Sequence, residues 1–238
     1  MKPSFPGFPP AAFQFLRSLR RNNRRDWFQP RKEIYETQVR EPMVELVTAV
    51  NAELARWAPD YIHEPERAIY RVYRDTRFSS DKTPYKTHIA AVFPKRGMDK
   101  HGAGGLYFSV SPEEVEVAGG VYMPPAENLL AIRSHLAENY GEFRRILRSK
   151  KLQTLMGELQ GEQLSRVPKG FAADHPAADL IRHKQWLFYV LLDPAIALTP
   201  RLFEEIISRF RVLLPVVEFL NRPLRRPKTI IPPEELLA

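Results

Sequence analysis

The chain has 238 residues, no cysteine, and 36 lysines and arginines against 28 carboxylates, a formal charge of +8. That excludes disulfides, thiol nucleophiles and cysteine-based metal sites, and it favours an anionic partner, a small molecule or a nucleic acid, without naming one. Hydrophobic residues at 44% and apolar runs far short of the ~20 residues of a membrane span predict one folded domain, no membrane and a cytoplasmic location.

In chain order, the start MKPSFPGFPP is broken by prolines and has no apolar signal core. Residues 10–20 space Phe13 and Leu16 as a short amphipathic helix that should stop at Asn22 and Asn23. Asp26 can cap a second helix, and the near-3.6 periodicity of Ile34, Tyr35, Val39, Met43, Leu46, Val50 and Leu54 carries it to about residue 57. Pro42 should kink it. Arg17, Arg20, Arg21, Arg24 and Arg25 cluster at the first junction, where a solvated helix end and a phosphate grip both fit.

The stretch IYRVYRDTRFSSDKTPYKTHIAAVF, residues 69–93, holds the densest polar chemistry. Its two ends alternate as strands do, and residues 76–87 form a loop between them, with Pro84 biasing Thr83 toward an extended backbone. A glycine-rich connector, read as flexible, follows, then strands at 106–111 and 115–122. Gly119 and Gly120, inside the latter, mark a bulge or a close approach of another backbone.

Pro124 and Pro125 open a helix. A further helical stretch from residue 142 carries Arg144, Arg145, Arg148, Lys150 and Lys151 on its polar side, and residues 153–163 should continue it. After a loop and two helical turns at 177–183, residues 186–192 are apolar on both faces, which predicts a buried strand joining the meander. A last helix runs from Pro200 to about residue 220. The expected fold is α+β: a single domain over residues 1–221, a mainly antiparallel sheet of about five strands from 69–122 and 186–192, helices from both chain ends, and a proline-rich basic tail, extended, over 222–238.

Three readings compete for the central stretch. Arg71, Arg74, Arg77, Ser79, Lys82, Tyr85 and Lys86 could converge on a phosphate or carboxylate, as guanidinium forks and lysines do. Asp75, Asp81 and His88 could instead act as acid-base groups on a substrate carrying such an anion. Or the arginines and aspartates could form an internal ion-pair network. The six histidines show no i, i+4 pair, so no metal is expected, and no residue pattern names a cofactor. The nucleophile-elbow, Walker A, Rossmann and HExxH patterns are absent.

The run RDTRFSSDKTPYKTH resembles the signature of the uncharacterised bacterial and fungal family known as domain of unknown function 2461. The same likeness extends to Asn22, Asn23, Trp27 and Phe28, to Gly119, Gly120, Tyr122 and Pro124, and to Pro168, Gly170, Phe171, His175 and Pro176. It spans roughly residues 5–221 and implies a single cytosolic domain, with no activity, cofactor or catalytic residue attached.

Overall fold

Prolines and asparagines punctuate the N-terminal third, and the backbone follows them. A computed structural model describes residues 3–77, 79–100 and 102–224. Helix α1 (Pro10–Arg21) begins on a proline, whose missing N–H is no loss in a first turn. It stops at Asn22, whose main-chain and side-chain nitrogens both donate to the Ser18 carbonyl. The long helix expected next is a bent series: α2 (Arg25–Phe28), a 3-10 turn at Gln29–Arg31, α3 (Lys32–Tyr35), a π-helical stretch at Glu36–Arg40 and α4 (Glu41–Leu54). Its prolines sit at the irregularities. Pro30 lies in the 3-10 turn, and Pro42, with no N–H for the carbonyl four residues back, is the second residue after the π stretch. A 3-10 turn at Pro59–Tyr61 and the single turn α5 (Pro65–Ala68) lead to the sheet.

The sheet is antiparallel, in the order β1 (Ile89–Pro94), β2 (Gly105–Val110), β3 (Val115–Val121) and β4 (Trp186–Leu192). The expected fifth strand is reduced to two isolated bridges, Ile69 with Ala91 and Tyr73 with Tyr85. Between those bridges the first segment takes four steps (69 to 73) and the second six (85 to 91), so the ladder breaks at a bend over Thr87 and His88. Pro84 accepts from the Arg74 N–H at 2.9 Å but, lacking an N–H of its own, can donate nothing in return.

One face of the sheet packs on α9 (Arg201–Asn221): Phe93 and Phe108 meet Phe210, at 5.7 and 6.4 Å between ring centroids, and a side chain on Gly119 would meet Leu213. Each such fully buried ring contributes roughly 1.5–3 kcal/mol. Helix α6 (Ala126–Leu147) is one helix with non-helical backbone at Asn139, and α7 (Lys150–Met156) is capped by Ser149. The helix expected over 153–163 ends at Met156, because Gly157 takes a left-handed φ of 73°. Gln160 then exchanges main-chain hydrogen bonds with Leu187, and α8 (Ala178–Ile181) is a single turn rather than two. Nor is β4 buried on both sides. It is an edge strand, with Tyr189 42% and Leu191 55% exposed. A 3-10 turn at Arg222–Leu224 follows α9, Arg222 gripping Glu142 through two bonds of 2.6 and 2.7 Å, and the rest of the expected tail lies outside the described residues.

Three asparagines do the work of short strands. The amide of Asn23 donates to the carbonyl of Tyr85 (2.8 Å) and accepts from its N–H (3.0 Å). Asn51 does the same for His63, and the fully buried Asn221 for Gly104. A side-chain amide carries the same donor and acceptor as a peptide, so each clamp satisfies a backbone that no neighbouring strand reaches. The connector read as flexible is thus pinned: Gly104 by Asn221, and the Gly102 carbonyl by Asn128 at 2.8 Å.

Candidate functional site

Strand alternation sends the apolar set of the sheet toward α9 and leaves smaller side chains on the other face. Across that face, Val92, Tyr107, Ala118 and Tyr189 lie in one row and Ala90, Ser109, Glu116 and Leu191 in the next. Gly105, Gly120 and Leu187 form a third. The alanines and glycines lower the floor, and an open cleft of about 970 Å³ results, a volume typical of small-molecule sites. Gly120 is required there twice over: its φ is 127°, and a Cβ would lie 2.0 Å from the Trp186 carbonyl oxygen.

The polar groups stand at the rim. Lys86 and Lys100 hold their ammonium groups 5.0 and 4.4 Å from the centre of the same ring, Tyr70, each donating to one backbone carbonyl, that of Arg71 at 3.0 Å and of Arg67 at 3.1 Å. Neither forms an ion pair among the described residues. Burial, then the charges of Arg71 and Lys100, hold Lys86 below the usual lysine pKa, and burial lowers Lys100. His88 is lowered too, by burial and then by Lys86, so its imidazole is neutral at pH 7. Glu116, about two strand spacings or ~10 Å across the sheet from β1, is pushed up by burial and by Glu114. Burial carries the phenol of Tyr107 up to about 12. The cleft therefore has a cationic end, a carboxyl end and an apolar floor between them.

The loop before the cleft is built otherwise. Arg77 holds Asp75 through two bonds of 3.1 and 2.8 Å, Arg74 holds Asp81 and Thr83, and Lys82 donates to the Thr76 carbonyl at 2.9 Å. The bonds from Arg77 to Asp75, and those from Thr83 and Arg74 to Asp81, bring both carboxyls down to about 2. At neutral pH they are anions and weak proton acceptors. Ser79 is half-buried and bonds through its N–H to the Thr76 carbonyl. Arg71 turns to a second cleft, of about 270 Å³, lined also by Tyr35, Glu36, Arg40 and Tyr73. Tyr85 is buried, stacked on Phe28 at 4.1 Å and held by Asn23, with no hydrogen-bond partner for its hydroxyl.

Of the residues singled out in the sequence, Lys86 and His88 thus line the main cleft, and Arg74, Asp75, Arg77, Asp81 and Lys82 bond within the loop. Tyr70, Lys100, Tyr107 and Glu116 escaped sequence reasoning. Glu116 carried a signal, a lone carboxylate between Val115 and Val117 in an apolar strand, whereas Lys100 lies in a connector whose course no periodicity shows. Among the described residues no cluster of three or more histidines and carboxylates could hold a metal, and no helix is long and apolar enough to cross a membrane. A family model described as conserved hypothetical protein, DUF2461, matches residues 11–219. No curated protein and no solved structure matches the chain.

Proposed function

The chain belongs to this family of conserved hypothetical proteins, and we propose that it binds a small organic anion in the cleft on the open face of its sheet. The observation that carries the reading is the pair of ammonium groups on Tyr70. Two like charges, half-desolvated and without a carboxylate among the described residues, raise each other's energy, and an anion bridging them would relieve it. The floor of Ala90, Val92, Ala118 and Leu187 favours an anion with an apolar or planar body over bare phosphate. A cleft of this size suits a small molecule better than a nucleic acid strand, which tracks a long basic stripe.

The test is thermal unfolding in the presence of benzoate, adenosine monophosphate, inorganic phosphate and a short oligonucleotide, at two salt concentrations. A ligand at ~100 times its dissociation constant stabilises by about 2.7 kcal/mol, and that gain should come from an organic anion and vanish in the double variant Lys86→Met, Lys100→Met. A shift that survives the double variant sinks the reading. So does a response confined to the oligonucleotide and falling steeply with salt, which would mark nucleic-acid binding instead.

A further inference from the structure

We infer that Lys86 is a nucleophile, forming an imine with the carbonyl group of an aldehyde or ketone whose anionic group rests on Lys100. The inference deepens the anion-binding reading and rests on it. Lys86 and Lys100 share the Tyr70 ring at 5.0 and 4.4 Å, so an anion on one lysine brings the rest of a small molecule to the other. Lysines become nucleophilic when desolvated in an apolar pocket beside another cation. The groups facing Lys86 from its surroundings are Arg71 and Tyr70 on the neighbouring segment, Lys100 on the connector and His88 on the bend before β1. None is a carboxylate that would pin it as an ammonium ion. Lys86 is the better candidate of the two because the charges of both Arg71 and Lys100 act on it, and because it lines the same cleft as the imidazole of His88.

The chemistry balances with water as the only by-product. The lone pair of the free Lys86 amine forms a bond to the carbonyl carbon while the C=O π pair moves to oxygen. A proton leaves the nitrogen for His88 and returns to that oxygen, giving a carbinolamine. Loss of water then leaves a C=N bond, with nothing oxidised or reduced.

Pyridoxal 5′-phosphate, which carries an aldehyde and a phosphate on one planar ring, is a direct probe. The full-length protein is incubated with it at stoichiometric ratio, reduced with borohydride and mapped by peptide mass spectrometry. The expected result is one adduct per chain, on Lys86, absent in Lys86→Arg and unchanged in Lys150→Arg, an exposed lysine of α7. Lys100→Gln should raise the probe concentration needed by about tenfold, the loss of one charged hydrogen bond. Circular dichroism confirms that each variant is folded, and Lys86→Met serves if Lys86→Arg is not. No adduct, labelling spread over surface lysines, or labelling of Lys100 with Lys86 unmodified overturns the inference. Should no adduct form, pyridoxine 5′-phosphate, which lacks the aldehyde, separates the two claims: if it stabilises the wild type, anion binding stands and only the imine falls, and if it does not, both fall.

Discussion

The loop of residues 75–83 and the open face of the sheet are both rich in ionisable side chains, and they differ in what those side chains meet. In the loop, each aspartate has its arginine, every group but the half-buried Arg74 is exposed, and the carboxyls are driven down to about 2. On the sheet, two lysines, a histidine and a glutamate are half-buried, and every one of them is shifted toward its neutral form. Exposed ion pairs contribute little and react little, whereas desolvated groups without an oppositely charged partner hold free energy that a ligand can release. Charge density in the sequence peaks over the loop, whereas the groups shifted toward their neutral forms lie around the cleft.

That contrast can be broken in three places. The largest effect should come from Phe28→Ala, which removes the ring stacked on Tyr85 and, with it, the anchor that fixes loop and cleft wall to the N-terminal helices. Truncating a buried phenylalanine costs about 3–5 kcal/mol. Urea unfolding should show that loss, and organic-anion binding should weaken with it. If binding is untouched, the cleft wall does not depend on the aromatic cluster.

A smaller effect is expected for Asn23→Ala. Both main-chain groups of Tyr85 lose their partner, at about 1–3 kcal/mol for a buried polar group left unsatisfied. Hydrogen exchange should speed at Tyr85 and stay slow in β2 and β3. Uniform speeding across the sheet would show that the clamp supports the whole fold rather than the loop.

The smallest is Arg77→Ala, which should lower the unfolding midpoint only slightly at neutral pH, because the pair is exposed, and leave the anion-induced shift where it was. Its trace is in the titration of Asp75, followed by NMR, which should rise from about 2 toward the ordinary 3.8. The sign follows from linkage. A depressed carboxyl contributes stability that is present above 3.8 and lost as pH falls through about 2, so the variant falls slightly short of the wild type at neutral pH and the two converge as pH drops through that acid window. A change in anion binding at pH 7 would place Arg77 in the site after all.

Much of the architecture was legible because it is written in periodicity and in prolines: α1, the bent second helix, three strands of the meander, the return of residues 186–192 and the last helix all follow from local pattern. The failures have local causes too. Residues 69–75 alternate like a strand, but the two extra residues at the Thr87–His88 bend lie on the facing segment, where the alternation of 69–75 cannot register them. Residues 157–163 look helical until Gly157 turns left-handed. The site was half legible. Lys86 and His88 stand in the charged stretch, but Lys100, Tyr107 and Glu116 come from three other segments that only pairing of the strands assembles. Asn23 and Phe28, from the asparagine and Trp-Phe run near the N-terminus, hold the main chain and the ring of Tyr85.

The clamp of Asn221 on Gly104 also bears on the order of synthesis. The two residues are 117 positions apart, and Lys95 waits still longer, 123 positions, for Glu218. While the chain emerges from the ribosome, the connector carrying Lys100 has no partner at its Gly104 end until the last turn of α9 is out, and the fourth strand arrives only shortly before. Contacts so distant in sequence close late and slowly. The cleft is thus among the last parts of the molecule to take shape, and a nascent chain cut short before residue 221 would present the open sheet with one wall unfastened.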